Sequence, residues 1–373
     1  MKALALRRGE LVVTDLPEPR MGPGQMLVRP LSTGICGSDL SAWQHTDEFL
    51  QASVDSDTEI FIFDKNRDLV MGHEFTSEVI EVADDVHNYQ PGDRIVTMPT
   101  ATDPAGVRHC VGYATDYPGA LAERVVVDAV GTHRSHPHIP DGFSPHLAAL
   151  TEPLTVGFNA VARSRISDDE GAIVIGCGPV GLGALVGLQE RGVNPVIVSD
   201  PSPLRRSIAA AHGALVVDPA DTDPVQAWKD ATGGTKRLLV FECSGVKGML
   251  NRLLYSVPHS TSILVSGSCM VDDTIRPVVG IYKNVRIDFC MGPDPVLGPT
   301  EQDEFFLTLD RLARGAIDAE RLVTGWASLD AAAEAFALLR PGDPQSIEHF
   351  KILVRHDLEG HQIQPGPRSA EKS

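Results

Sequence analysis

"GAIVIGCGPVGLGALVGLQERG", residues 171–192, decides the fold. Its opening apolar run, Gly171 to Ile175, reads as a buried strand; a glycine-rich turn and a helical stretch follow. "NPVIVSD", residues 194–200, is a second strand that ends on Asp200. Gly176, Gly178 and Gly181 spell G-x-G-x-x-G, a weak pattern when it stands alone. Here it follows a strand, opens a helix and has Asp200 nineteen positions beyond Gly181, the context a dinucleotide-binding turn requires. The competing reading is a glycine-rich turn with no ligand.

Each position has a physical reason. Gly176 makes the tight turn, Gly178 lets the backbone approach a pyrophosphate, and Gly181 lets helix and strand pack closely. Pro179 and Val180 complete the turn at the helix N-terminus, whose free N–H groups favour phosphates. Asp200 accepts hydrogen bonds from ribose hydroxyls and repels a 2′-phosphate, so NAD is expected over NADP. Arg205 and Arg206 complicate that preference. A guanidinium there could answer a 2′-phosphate, touch the ribose or lie on a solvated helix face.

Outward from this motif, "PLRRSIAAAHGA" reads as a helix, and "LVVD", "RLLVFECSG" and "TSILVSGS" read as further strands. Apolar strands alternating with helices predict a parallel sheet covered on both faces. The first 150 or so residues have another texture. "MLVRPLS", "SEVIEVA", "DRIVTM" and "AERVVV" are short strands punctuated by turns such as Pro91-Gly92-Asp93, which predicts an irregular β-rich domain. Beyond residue 300, "EQDEFFLTLDRLARG" and "LDAAAEAFALLR" read as amphipathic helices, "HFKILVR" as a last strand, and "QIQPGPRSAEKS" as a loose tail.

The 373 residues suggest about two domains. A net charge of −18 disfavours nucleic acid and anionic membrane surfaces as partners. The opening "MKALALRRGELVV" lacks a signal-peptide core, and no apolar stretch is long enough to span a bilayer. Six scattered cysteines are no disulfide framework and suit a reducing cytoplasm, the expected location.

Three stretches offer metal ligands: "TGICGSD" with Cys36, "MGHEF" with His73 and Glu74, and "LTEPLTVG" with Glu152. Sulfur, nitrogen and oxygen donors with one open position make the pattern of a catalytic zinc site. Taken singly, each has a plainer explanation: a buried small thiol, a satisfied polar histidine, a Glu-Pro turn. His73-Glu74 does not open H-E-x-x-H, because position 77 is serine. There is no G-x-S-x-G elbow and no G-K-[ST] phosphate loop.

"GICGSD", "MGHE", "PGDRI", "LTEPLTVGFNAV", "GCGPVGLG" and "HFKILV" occur in the order seen in zinc-dependent medium-chain alcohol dehydrogenases. The chain resembles that family from residue 1 to about 355, closest to the branch of polyol, threonine and general bacterial alcohol dehydrogenases. The resemblance implies a Rossmann doubly wound parallel sheet, residues 154–292, inserted in a β-rich GroES-like catalytic domain built from 1–153 and 293–373. It implies one catalytic zinc at Cys36, His73 and Glu152, with Glu74 beside the histidine and able to exchange as a ligand. It gives Ser38 the hydroxyl that bonds the substrate alcohol and Asp39 the carboxylate that orients His73, a role that physics also favours. Glycines 34 and 37 would let that loop close up. Arg205 and Lys351 join the cofactor site, Lys351 near the phosphates. The reaction implied is reversible hydride transfer between an alcohol and NAD, in a cleft between the domains. Relatives are commonly dimers or tetramers that pair cofactor domains edge to edge, so a homodimer or homotetramer is expected, with "TSILVSGS" as the pairing strand.

The sequence departs from that family in three places. Many relatives carry four cysteines after "GDR" for a structural zinc; here residues 96–123 hold only Cys110, so no structural zinc is expected. The relay position five residues after the zinc cysteine is often histidine, and here it is Ser41; His45 reads as an ordinary loop residue. The proton would then leave through Ser38, a ribose hydroxyl and water. Cys36 and His73 stand 37 positions apart, which is long, and the insertion at 46–70 carries Phe49, Leu50, Phe61, Ile62 and Phe63. Those residues could roof a pocket for a bulky hydrophobic alcohol, form a subunit interface or pack locally. "GPDPVLGPT", from residue 292, is also long and could shape the pocket. A hydrophobic primary or secondary alcohol is therefore the expected substrate. The alternatives are a polyol or amino alcohol, a zinc-free reductase, and a catalytically silent NAD-binding protein.

Overall fold

The strand Gly171–Ile175 is buried along its whole length and sits inside a six-stranded sheet. This computed structural model describes residues 1–58, 61–129, 136–291 and 300–367. The chain divides into two compact units, Met1–Glu152 with Phe305–Ser373, and Pro153–Glu304. The first junction falls beside the expected 153/154 boundary. The second falls later than 292/293, inside the helix Thr300–Ala313. The long "GPDPVLGPT" segment begins at residue 292 and lies outside the described residues.

In the second unit the strands lie in the order Leu215–Val217, Val196–Ser199, Gly171–Ile175, Leu238–Glu242, Ser262–Val265 and Arg286–Phe289. Every pairing is parallel. Numbered along the chain, the order is 3-2-1-4-5-6, the doubly wound arrangement in which the order reverses beside the first strand. The glycine-rich turn therefore leaves the sheet at its switch point. Ile173, Ile197, Val240 and Ile263 form one side of the core, packed on Trp228, Leu253 and Val257. "TSILVSGS" is not the pairing edge. Its strand Ser262–Val265 is bonded on both sides; among the described residues the two edges are Leu215–Val217 and Arg286–Phe289. The sequence hides the latter strand because its apolar positions alternate with Arg286 and Asp288, and it is largely exposed.

The first unit is built on a seven-stranded sheet. Gln25–Gly34 lies at its centre, bonded antiparallel to Glu74–Val82, to Val125–Asp128 and to Lys351–Arg355. In that register Gly34 faces Glu74 on one side and Leu353 on the other. Chain segments more than 300 residues apart thus meet at the residue just before Ile35 and Cys36. Met26, Val28, Phe75, Val79, Ile95, Val125 and Val127 fill one core beneath the sheet. The tail is not loose throughout: Ile363–Pro365 adds a strand to the edge at Val323–Ser328. Among the described residues, no helix is long and apolar enough to cross a membrane.

Candidate functional site

Cys36 ends the loop that follows the central strand and caps the helix Gly37–Gln44. Its backbone N–H donates to Asp39 Oδ2 at 2.9 Å, so the helix start folds the carboxylate back under the loop. Gly34 is required there, because a Cβ would lie 2.2 Å from Glu74 Oε2. Gly37 has no such neighbour and ordinary φ, so closing of the loop depends on Gly34 alone. His73 follows Gly72, whose φ of +100° only glycine adopts readily. A Cβ at Gly72 would also stand 2.8 Å from the Thr33 methyl.

Among the described residues, Cys36, His73 and Glu74 form the one group of three candidate ligands, with donor atoms within 4.8 Å of one another. Glu152, in the first turn of the helix Thr151–Ser164, is not in that tight group. It feels the group electrostatically: burial of its carboxyl pushes it up to about 7, with the Glu74 charge adding to the rise and His73 opposing it. Burial also raises the Cys36 thiol, as does Glu74. Burial thus holds both thiol and carboxyl towards their protonated forms, against the opposing pull of His73 and Lys351. A soft dication adds positive charge there, so the donor set fits zinc.

His73 is oriented from behind. Its Nδ1 lies 3.4 Å from Asp39 Oδ1, an ion-pair distance longer than a formed hydrogen bond. Asp39 is fully buried, and its carboxyl is held below the usual range: burial alone would raise it, but His73 and the hydrogen bonds from Cys36 and Tyr113 outweigh that.

Lys351, expected near the cofactor phosphates, makes its hydrogen bonds inside the first unit. Its ammonium reaches Glu74 Oε2 at 2.7 Å, Glu74 Oε1 at 3.0 Å and the Ile35 carbonyl at 2.9 Å. All three of its hydrogens have acceptors in the first unit, because the Lys351–Arg355 strand is registered against the loop that carries Ile35. Burial opposes the charge on Lys351, yet the Glu74 carboxylate more than offsets it and raises the ammonium above its ordinary value.

Tyr113 is a buried neighbour of the site that the sequence reading did not single out. It is 2% exposed, and its hydroxyl lies 2.8 Å from Ser38 Oγ and 2.8 Å from Asp39 Oδ1. Burial, with Asp39 next, pushes its pKa well up, so the phenol keeps its proton. It stands 75 positions from Ser38, in a segment read only for its missing cysteines. No local pattern marks it. The insertion packs on this ring: Phe49 lies 5.2 Å and Phe61 5.8 Å from Tyr113, centroid to centroid, and Phe63 packs on Phe49. Phe49 and Phe63 are buried, whereas Ile62 is exposed. Local packing accounts for the two buried rings.

His45 forms the junction between two helices, where its N–H bonds the Ser41 carbonyl and its carbonyl accepts from Phe49. Cys110 is buried, and burial pushes its thiol up to about 12.

In the second unit Gly176 has φ +83°, and its N–H donates to the Ser199 carbonyl. A Cβ on Gly181 would lie 1.9 Å from the Gly176 carbonyl oxygen, whereas one on Gly178 would meet nothing within 4 Å. Gly181 therefore serves packing, and Gly178 leaves open space in front of the turn. Pro179 and Val180 begin the helix Pro179–Glu190. Asp200 Oδ2 accepts from Cys177 N–H at 2.7 Å and Oδ1 from Ser202 N–H at 2.8 Å. The carboxylate braces the turn and keeps a second lone pair on each oxygen for ribose hydroxyls. Arg205 Nη1 stands 4.0 Å from Asp200 Oδ2. Arg206 is bonded to the Asp200 and Pro201 carbonyls and paired with Asp218.

A cofactor-binding doubly wound sheet and a β-rich unit with a Cys/His/Glu cluster together define a metal-dependent nucleotide-linked dehydrogenase. The chain belongs to the zinc-dependent medium-chain alcohol dehydrogenases. The alcohol dehydrogenase GroES-like domain matches residues 22–140 and the zinc-binding dehydrogenase domain matches 179–312. The (R,R)-butanediol dehydrogenase of Bacillus subtilis is 29% identical, over 93% of this chain and 96% of its own. Sorbitol dehydrogenase of Bos taurus is 27% identical, over 94% of each chain. The crystal structure of the Bacillus subtilis 2R,3R-butanediol dehydrogenase superimposes with a TM-score of 0.76 at 28% identity, covering 95% of this chain and 99% of that one. The protein is an oxidoreductase that moves hydride between an alcohol and a nicotinamide cofactor.

Proposed function

We propose that this enzyme oxidises a diol or polyol, rather than an isolated hydrophobic alcohol, with NAD as acceptor and one zinc per chain. Burial of Phe49 against Tyr113, and of Phe63 against Phe49, carries the substrate reading, because it withdraws the apolar roof that argued for a hydrophobic substrate. The butanediol and sorbitol enzymes among its relatives support the same class.

Cys36 and His73 would hold zinc, with a carboxylate from Glu152 or Glu74. Glu74 is already balanced by Lys351, which favours Glu152 as the anionic ligand. When bound, zinc supplies Lewis-acid polarisation of the substrate oxygen, and the nicotinamide supplies the hydride acceptor. Asp39 fixes the His73 ring, and Ser38 presents a hydroxyl to the substrate oxygen. Gly178 and the first turn of the helix Pro179–Glu190 would receive the cofactor phosphates, and Asp200 its ribose. The Arg286–Phe289 edge, which carries no bonded neighbour beyond it among the described residues, supports a two-fold pairing of cofactor units.

Elemental mass spectrometry on unchelated protein is expected to find one zinc per chain, on particles that light scattering sizes at two or four chains. A second tightly held zinc, or none, overturns the site as read. Paired kinetics are expected to show a Michaelis constant for NADP at least about ten-fold above that for NAD, since Asp200 faces the extra phosphate with like charge. Equal constants would mean that Arg205 offsets that charge. On a substrate panel, vicinal diols should exceed isolated long-chain alcohols in kcat/KM; the reverse order would restore the hydrophobic reading.

A further inference from the structure

Glu242 is a buried carboxylate with no cation beside it among the described residues. It ends the strand Leu238–Glu242 and is 3% exposed. Its Oε1 accepts from the Ser244 N–H at 2.8 Å, from the Gly245 N–H at 3.1 Å and from the Ser244 hydroxyl. Three donors on one oxygen favour the ionised form. Its Oε2 accepts from none among the described residues. Burial pushes the carboxyl up, and the Ser244 and Gly245 donors oppose that rise. Buried carboxylates are ordinarily paired with a cation. Glu74 has Lys351 and Asp39 has His73; Glu242 has the charge without the partner.

The register of the sheet says what comes near it. Ile175, the last residue before the glycine-rich turn, pairs with Ser199 on one side and with Glu242 on the other. Asp200 follows Ser199 and is placed for the adenosine ribose, and the turn itself is placed for the pyrophosphate. A dinucleotide that starts on the Asp200 side and crosses the turn lays its other half, the nicotinamide half, over the strand that Glu242 ends. Gly176 packs on that end, since a Cβ there would lie 3.0 Å from Ser244 Cα. Gly267, just past the next strand, keeps the surroundings of Oε2 clear: a Cβ on it would lie 2.6 Å from that oxygen.

We infer that Glu242 sets the preference between the two redox states of the cofactor, its charge favouring the oxidised nicotinamide, a cation, over the reduced ring, which is neutral. This rests on the placement of the cofactor at Gly176 and Asp200 proposed above. The missing partner of the buried carboxylate is then the ring itself. When hydride arrives, its electron pair cancels the positive charge of the ring, and the attraction to Glu242 goes with it. The oxidised cofactor thus gains an affinity that the reduced one lacks.

The test measures the dissociation constants of NAD and NADH by calorimetry on the full chain. Glu242→Gln keeps the size of the side chain and an oxygen to accept from the Ser244–Gly245 turn, and a melting curve checks that it folds. NAD should bind about ten-fold more weakly, the order of effect of one unit charge at an effective dielectric of about 20, while NADH binds no more weakly. Glu242→Asp keeps the charge on a shorter stem. It should loosen both forms together and leave their ratio at the native value. An unchanged ratio in Glu242→Gln, whether both affinities fall or neither does, overturns the inference and leaves Glu242 a brace for the turn. A ratio shifted as far in Glu242→Asp as in Glu242→Gln overturns it too, because shape rather than charge would then be responsible. Asp200→Ala should weaken both forms alike. If it alters neither, the placement of the cofactor is what has failed.

Discussion

Cys36→Ala is expected to lower alcohol oxidation at least about a thousand-fold while cofactor affinity stays unchanged. Polarisation of the substrate oxygen by zinc is worth several kcal/mol, and each ~1.4 kcal/mol is a factor of ten in rate. The thiol is one of three donors within 4.8 Å of one another, so its loss leaves a histidine and carboxylates, a set that holds zinc far less tightly. The fold should survive. The Cys36 backbone N–H bond to Asp39 at the start of the helix Gly37–Gln44 is kept in the variant. The cofactor residues lie in the other unit, from Gly176 to Arg205. Measurement needs kcat, zinc content and the dissociation constant for NADH on one preparation. Cys110→Ala is the control, since that thiol is buried and pushed up to about 12. Full activity with zinc retained in Cys36→Ala would remove Cys36 from the metal site.

The cofactor unit was legible because its instructions are local. Strand, turn, helix and Asp200 fall within thirty residues, and each glycine answers to a steric demand on its own turn. The metal cluster was half legible. Cys36, His73 and Glu74 could be named from their short motifs, but no spacing tells which carboxylate comes within reach of the sulfur. That is decided by the register of Gly34 between Glu74 and Leu353. The same register sets the Lys351 ammonium on Glu74, a partnership that no short motif shows. Tyr113's place beside Ser38 and Asp39 was invisible because it depends on the packing of a long insertion around it, and the Arg286–Phe289 edge because charged residues interrupt its apolar positions.

Lys351→Met is expected to destabilise the first unit by about 3–5 kcal/mol, the cost of leaving one member of a buried ion pair uncompensated. The side chains are 5% and 1% exposed, so neither water nor salt screens the pair. Removing the ammonium strips both Glu74 oxygens and the Ile35 carbonyl of their donor at once. For a unit of this size the thermal midpoint should fall by roughly ten degrees. The lysine is held charged, with its pKa raised, so its contribution is complete at neutral pH. It is lost only as pH climbs above the ordinary lysine range and through the raised value. Two controls separate charge from shape. Lys351→Arg keeps the charge but presents a planar fork where a compact ammonium fits three acceptors, so it should recover part of the loss. Glu74→Gln combined with Lys351→Met removes both charges and should lie well above the sum of the single losses. Strict additivity in that cycle would mean that the pair contributes nothing as a pair, and that Lys351 is held in place by its stem. The cycle also reports on the metal. If Glu74 is a balancing anion and Glu152 the ligand, the double variant keeps its zinc; if Glu74 is itself the ligand, stability returns but zinc does not.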